Sequence, residues 1–175
     1  GLPNIKTTVD ATPYYTDPKN VAMFERQGVY SLAELKASEE INYELYSKVL
    51  HIEALTMIEM ASKLYIPAII RYCSVLADSI NKITKACSSC NVSVQCELLS
   101  EASDLLAEAK AALTDLTVKT EAASEYEEGA PLANYYKDVI REAMTALRTP
   151  IDKLEMIVDK EYWPVPTYGD LLFEV

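Results

Sequence analysis

The chain has 175 residues, half of them apolar and a quarter charged, a balance typical of a folded globular domain rather than a disordered tract. Its formal net charge of −11 excludes nucleic acid and anionic membrane surfaces as expected partners, because both require a basic footprint. The sequence has no run of about 20 apolar residues and no signal-peptide pattern, so we expect a cytoplasmic protein with no membrane-spanning helix.

The chain begins with a segment that lacks helical periodicity. Residues 1–16 carry two prolines, which favour extended neighbours, so we expect an extended arm. Asp17 and Pro18 then predict a short helix, with an N-cap followed by proline at the first helical position. Gly28 is expected to end that helix, because glycine tolerates the left-handed conformation of a C-terminal cap.

The longest helix is predicted from about residue 32 to residue 86. Ser31 and Glu34 form a capping-box pattern at its start. Apolar residues recur every three or four positions along it, as one helical face requires. That face comprises Ile41, Leu45, Val49, Ile52, Ile69, Tyr72, Leu76, Ile80 and Ile83. Pro67 interrupts the pattern, and we expect a kink there because proline lacks a backbone donor and clashes with the preceding turn. The helix exceeds the next by about 20 residues, so its first third is expected to overhang the three-helix core and to pack on the short helix, on the tail or on another protein mass.

Two further long helices are predicted over about residues 93–126 and 131–160. The first carries a heptad seam, in which alanines allow a neighbouring helix to approach closely. The seam comprises Leu99, Ala102, Leu106, Ala109, Leu113, Leu116, Thr120 and Ala123. The apolar stripe of the second comprises Tyr136, Ile140, Ala143, Leu147, Ile151, Leu154 and Val158. Pro150 lies within this stripe, and a second kink is expected there.

Three long helices with short connections predict an all-α fold, an antiparallel bundle with a short N-terminal helix and extended terminal arms. We divide the chain into an arm over residues 1–16, a helical bundle over residues 17–160 and a docking tail over residues 161–175. The tail holds the single Trp of the chain, and an apolar, proline-stiffened terminus is expected to dock on another surface. Aromatic residues near both ends are the candidate interface, namely Tyr14, Tyr15, Tyr162, Trp163, Tyr168 and Phe173.

Catalytic and metal-binding patterns are absent from the sequence. It has no nucleophile–base pair, glycine-rich phosphate loop or metal triad, so we expect the chain to be non-catalytic and to bind no cofactor by itself. His51 shares a helical face with Glu40, Glu44 and Lys48. A di-iron centre would require Glu where Lys48 stands, so this face is predicted to be solvated and ion-paired.

Cys87 and Cys90 form a CxxC pair, and Cys73 and Cys96 lie on either side of it. Three interpretations stay open for the pair: reduced thiols without a role, which a cytoplasmic chain favours, a disulfide, or a metal site. Zinc would require four ligands, and the lone His51 lies on a distant part of the long helix.

Three segments resemble one known family: residues 2–11, residues 52–68, and residues 162–173 with their Trp-Pro-Val-Pro-Thr-Tyr sequence. They resemble the C-terminal region of type III glutamine synthetases, and the resemblance runs from end to end of the chain. It implies a parent ligase of nitrogen metabolism, which joins ammonia to glutamate using ATP and a divalent metal, Mg or Mn. The catalytic domain would precede Leu2, and no catalytic residue is carried over to this chain.

The resemblance implies a structural domain that functions in oligomerisation. Its partners would be its own catalytic domain and neighbouring subunits of a large homo-oligomer. We further hypothesise that the arm ties the bundle to the catalytic domain and that the tail packs near the arm. The residues alone leave one alternative open, a free-standing acidic helical-bundle adaptor that binds partner proteins in a groove.

Overall fold

The computed structural model describes residues 4–173, except for the side chain of Tyr168. The described residues form helices and no strand, which confirms the predicted all-α class and its long helices. The helices are α1 (Thr8–Ala11), α2 (Pro18–Arg26), α3 (Leu32–Met60), α4 (Ile66–Ala86), α5 (Ser93–Ala122), α6 (Ala130–Tyr135), α7 (Arg141–Glu155) and α8 (Tyr168–Phe173). Two π-helical turns, Ala61–Tyr65 and Tyr136–Ile140, connect α3 to α4 and α6 to α7 without a break.

The predicted helix boundaries follow from local capping. Asp17 accepts a hydrogen bond from Lys19 N at 2.9 Å, and Gly28 has the left-handed φ of 67° expected after the end of α2. At the start of α3, Glu34 accepts from Ser31 N at 2.8 Å and Ser31 Oγ accepts from Glu34 N at 3.3 Å. This reciprocal pair is the predicted capping box.

The kinks predicted at Pro67 and Pro150 are not confirmed. Pro67 lies in the first turn of α4, directly after the first π-helical turn, where Ile66 N bonds to Ala61 O five residues back. The helix therefore changes its hydrogen-bond register beside the proline. Pro150 lies buried within α7.

The N-terminal arm is not extended over residues 8–15, contrary to the prediction. Thr7 caps α1 by accepting a hydrogen bond from Asp10 N at 3.1 Å. A 3₁₀ turn, Thr12–Tyr15, follows, with Pro13 in its first turn. Proline is tolerated at the start of a helix because its missing N–H would have no partner there, so the capping by Thr7 outweighs the extended bias.

Two polar contacts hold this arm within the fold. Thr16 Oγ1 donates to Glu39 at 2.7 Å, and Lys137 Nζ donates to Asp10 at 2.9 Å. The lysine hydrogen bond is the main cause of a lowered pKa of the Asp10 carboxyl, with Thr7 adding to it. The arm is therefore anchored both to α3 and to the second π-helical turn.

The chain forms two compact units, which we call unit 1 (residues 1–55 and 118–142) and unit 2 (residues 56–117 and 143–175). The arm belongs to unit 1 and the tail to unit 2, so the packing of the tail near the arm stays a prediction. The predicted seam of α5 and the predicted stripe of the last helix supply nearly half of the buried apolar residues in the described part of the chain. These include Ala102, Ala109, Leu113, Leu116, Ala123, Tyr136, Ile140, Ala143, Leu147, Ile151, Leu154 and Val158.

The tail is held in unit 2 by aromatic contacts. The ring of Trp163 is buried and its centroid lies 5.1 Å from that of Tyr65. Tyr72 Oη donates to Ile157 O at 3.0 Å, and its ring lies 6.0 Å from that of Tyr162. The start of the tail therefore docks on its own unit.

The end of the tail is helical in α8 and not extended, contrary to the prediction. One ionised carboxylate holds the start of this helix. Asp170 accepts hydrogen bonds from Lys160 and from both the backbone N and the hydroxyl of Thr167, the latter two at 2.8 and 2.9 Å. These bonds, with that of Lys160 the largest cause, lower the pKa of Asp170 to about 2. Asp170 therefore caps the start of α8 more strongly in its charged form than in its protonated form.

Acidification is expected to release this cap. Because the folded pKa of Asp170 lies below the ordinary value of about 3.9, its stabilising contribution is complete above about pH 4 and is lost as the pH falls towards 2. Carbon NMR titration of the Asp170 carboxyl should show this low pKa, and Lys160→Gln should raise it. An Asp170 pKa near 3.9 in the unaltered chain would contradict the arrangement.

Candidate docking surface

The first half of the predicted apolar face on the long helix is exposed. Ile41, Leu45, Val49 and Ile52 are between 44% and 64% exposed, and Leu55 continues the series at 47%. The first third of the long helix, predicted to overhang the core, therefore has an exposed apolar face, and its packing on another protein mass stays a prediction. The second half of the same face is buried at Ile69, Tyr72 and Leu76.

The opposite face of α3 is the one that packs. Its buried residues are Leu35, Tyr43, Ser47 and Ala54. Tyr43 forms a small core with Val9 and Ala133, and Ser47 Oγ is satisfied by donating to Tyr43 O at 3.0 Å. Ser47 and Ala54 are small and leave room between the larger Leu35 and Tyr43, so this face can interlock with the neighbouring elements.

We call the exposed series Ile41, Leu45, Val49, Ile52 and Leu55 the α3 stripe. At 100° per residue its members fall within a sector of about 120°, and at 1.5 Å per residue they extend over about 21 Å. Folded soluble domains rarely leave such a contiguous row of large apolar side chains in water, and those that do use it for interaction. The α3 stripe is therefore the candidate docking surface of unit 1.

One edge of the α3 stripe is polar. Glu44 and Lys48 form an ion pair one helical turn apart, and this hydrogen bond is the main cause of a raised pKa of Lys48. A more distant contribution to that pKa comes from Glu128. The predicted solvated, ion-paired face of α3 is thus confirmed for this pair.

A cavity of about 870 Å³ in unit 1 lies beside this edge. Its lining includes Glu40, Glu44, Lys48 and His51, which confirms that these four side chains share a face. At its wall Tyr136 Oη lies 2.9 Å from His51 Nδ1 in a hydrogen bond, and the two rings meet edge to face. The lining of the cavity therefore carries four glutamates against one lysine and includes a tyrosine–histidine hydrogen bond.

The residues described do not fit a metal centre. Over residues 4–173, no three His, Cys, Asp or Glu side chains lie close enough together to hold an ion. No step of metal chemistry is therefore derived from this part of the chain. In the same range, every helix is too short or too polar to cross a bilayer.

The aromatic residues predicted as an interface have different environments. Tyr14 and Tyr15 are exposed in unit 1, on the 3₁₀ turn after α1. In unit 2, Trp163 is buried and Phe173 is exposed on α8. Tyr162 is half-buried, and Tyr168 lies in α8 with its side chain outside the described part. Their role in an interface stays a prediction.

Comparison with known proteins identifies the family. Residues 1–84, which include the whole α3 stripe, match the family model described as the glutamine synthetase C-terminal domain. Over 100% of its length the chain is 31% identical to a glutamine synthetase of Butyrivibrio fibrisolvens. Residues 1–84 belong to the glutamine synthetase C-terminal domain family.

Two further members of the glutamine synthetase group match almost the whole chain. Identity is 31% over 180 residues with a type-3 glutamine synthetase of Dictyostelium discoideum and 28% over 177 residues with a glutamine synthetase of Bacteroides fragilis. The chain covers 25%, 24% and 24% of the three relatives in turn, so it spans about a quarter of their length.

Proposed function

We propose that this chain serves as the non-catalytic structural domain of a longer glutamine synthetase. The parent reaction would join ammonia to glutamate, with ATP and a divalent metal, Mg or Mn, bound by another part of the polypeptide. The observation that carries the proposal is the α3 stripe, an exposed apolar surface within the residues that match the family. Its occupant would be the catalytic part of the same protein.

The α3 stripe has the size that docking of a tethered domain requires. Full burial of a large aliphatic side chain contributes roughly 1.5–3 kcal/mol, so covering five half-exposed ones would contribute about 1 kcal/mol each. A domain joined covalently to its partner loses less freedom on docking than a free protein does. About 5 kcal/mol is therefore sufficient to keep the two parts together.

The charges beside the α3 stripe indicate the chemistry of its partner surface. Glu40 and Glu44 lie along one edge of the α3 stripe, and Glu53 lies along the other. Lys48 is the single Lys or Arg among residues 40–55, so the surroundings of the stripe are negatively charged. An apolar surface bordered by Lys or Arg would complement this arrangement. We expect that character on the catalytic part where α3 docks.

The parent protein would be a large cytoplasmic homo-oligomer. The family resemblance supports this part of the proposal. Exposed Tyr14, Tyr15 and Phe173 are suited to contacts with neighbouring subunits, because aromatic rings are enriched in such interfaces.

Enzyme assays test the functional assignment directly. The complete protein encoded by the gene should make glutamine from glutamate, ammonia and ATP, whereas this chain alone should neither make glutamine nor hydrolyse ATP. Glutamine formation by the isolated chain would refute the structural role. A complete protein without the activity would refute the parent reaction.

Charged substitutions test the docking surface. In the complete protein, Ile41→Lys with Ile52→Lys should weaken docking by about 2–4 kcal/mol, since two apolar contacts are lost and two charges face an apolar surface. Limited proteolysis and hydrogen exchange of α3 measure the release. In the isolated chain the same double variant should leave the melting temperature nearly unchanged, because both side chains already meet water.

Val118→Lys is the matched control. Val118 is 59% exposed and also lies in unit 1, but on α5 and outside the α3 stripe. It should leave proteolysis of the complete protein unchanged. If the double variant behaves like this control, the α3 stripe is not the docking surface.

A further inference from the structure

Cys87 and Cys90 are brought together by the turn that connects α4 to α5. Cys87 caps the end of α4, and Cys90 N donates to Cys87 O at 3.1 Å, closing a four-residue turn. Such a turn holds its first and fourth Cα atoms within about 7 Å. A disulfide requires a Cα separation of about 4.4–6.8 Å, so the turn is compatible with one.

The two thiols lie at the two ends of this turn and are accessible. Cys87 Sγ lies 3.4 Å from Oγ of Ser89, which stands between the two cysteines in the sequence. Cys90 is exposed and Cys87 half-exposed, so a small molecule in solution can reach both sulfurs. The other cysteines lack this arrangement: Cys73 is half-buried on α4, and Cys96 lies on α5.

The pair is chemically asymmetric. The thiol of Cys90, and after it Ser89, stabilise a thiolate at Cys87 and lower its pKa to about 7, while the same contact raises the pKa of Cys90. An attacking thiol is most effective when its pKa is near the ambient pH. Cys87 therefore has the properties of the attacking sulfur and Cys90 those of the resolving one.

We propose that Cys87 and Cys90 form a reversible dithiol–disulfide site that exchanges with small disulfides of the glutathione type. The Cys87 thiolate attacks one sulfur of the small disulfide, forming a mixed disulfide and releasing one thiolate. Cys90 loses its proton to solvent and attacks Cys87 Sγ, forming the Cys87–Cys90 bond and releasing the second thiolate. The protein dithiol is oxidised by two electrons, and the small disulfide is reduced to two thiols.

The remaining surroundings favour this chemistry over metal binding. Within residues 4–173 no third His, Cys, Asp or Glu joins the pair in a metal-sized cluster. Burial raises the pKa of Cys73, which makes it a poor nucleophile at neutral pH. The proposal concerns only this turn and does not depend on the parent reaction.

Exposure of the fully reduced chain to oxidised glutathione, with intact-mass and peptide analysis, tests the site. The unaltered chain should lose two hydrogens as a Cys87–Cys90 disulfide that dithiothreitol reverses. Cys90→Ser should instead hold glutathione on Cys87 as a stable mixed disulfide. Cys87→Ser should abolish the intramolecular product, and Cys96→Ser, the matched control, should retain it.

The pH dependence of the first step provides a second readout. In the unaltered chain, reaction of Cys87 with an aromatic disulfide reagent should have a half-point near pH 7, and Cys90→Ser should move it upward. At neutral pH, Cys87 should carry about 15-fold more thiolate than an ordinary exposed cysteine, but that thiolate should be about 5-fold less nucleophilic. The rate of its reaction with the reagent should therefore be about 3-fold higher. Mixed disulfides without the Cys87–Cys90 bond, or an unchanged half-point in Cys90→Ser, would overturn the proposal.

Discussion

Leu35→Ala is expected to lower the free energy of unfolding by about 2–5 kcal/mol. Leu35 is 1% exposed on the packed face of α3, so the substitution removes buried methyl groups and leaves a cavity. Leu45→Ala makes the same chemical change on the same helix, but Leu45 is 57% exposed. It should change the free energy by no more than about 0.5 kcal/mol.

Urea unfolding of the two variants, followed by far-ultraviolet circular dichroism, measures the difference. Both substitutions place alanine in a helix, so the small change in helix propensity is common to both and cancels in the comparison. Equal losses at the two positions would mean that the α3 stripe is buried in the folded chain. A larger loss at Leu45 than at Leu35 would reverse the assignment of the two faces of α3.

Trp163→Ala should be the most destabilising change in the tail, by about 3–5 kcal/mol. Trp163 is 8% exposed and packs on Tyr65, so alanine would leave a large cavity beneath the tail. Trp163→Phe should cost only about 1–2 kcal/mol, because an aromatic ring still contacts Tyr65. The lost indole N–H leaves no acceptor unpaired, since Nε1 has no hydrogen-bond partner among the described residues.

Chemical denaturation and hydrogen exchange over the tail distinguish the two variants. Exchange near residue 163 should rise strongly in Trp163→Ala and little in Trp163→Phe. Tyr162→Phe is the control, because it keeps the ring on a neighbouring half-buried position and removes only a hydroxyl. If Trp163→Phe were as costly as Trp163→Ala, the indole N–H would have to be bonded in the folded chain.

The sequence predicted the elements that local interactions decide. The caps at Asp17 and Ser31 and the helix end at Gly28 were recognisable because each involves residues within one turn of one another. The prediction of an extended arm was wrong because the cap at Thr7 outweighs the extended bias of the two prolines. The family resemblance was also recognisable from the sequence, because it depends on the order of residues and not on their packing.

Which face of α3 packs, and whether Cys87 and Cys90 lie close together, could not be predicted from the sequence. Ile41, Leu45 and the rest of the α3 stripe have the same spacing as the buried stripe of the last helix, so their period could not tell which face of α3 packs. The residues that indicate the packed face of α3 lie on the opposite side, where Tyr43, Ser47 and Ala54 fit closely against neighbouring elements. The CxxC spacing was visible too, but only the turn shows that Cys87 and Cys90 meet.

The sequence by itself determined that this protein is helical, where most of its helices begin and end, and to which family it belongs. These properties depend on residues within a few turns of each other or on residue order alone. Tertiary structure decided that one half of the longest helix turns its aliphatic residues to water while the other half buries them. The spacing of apolar residues is a property of a single helix, whereas the burial of a helix face depends on which neighbouring element covers that face.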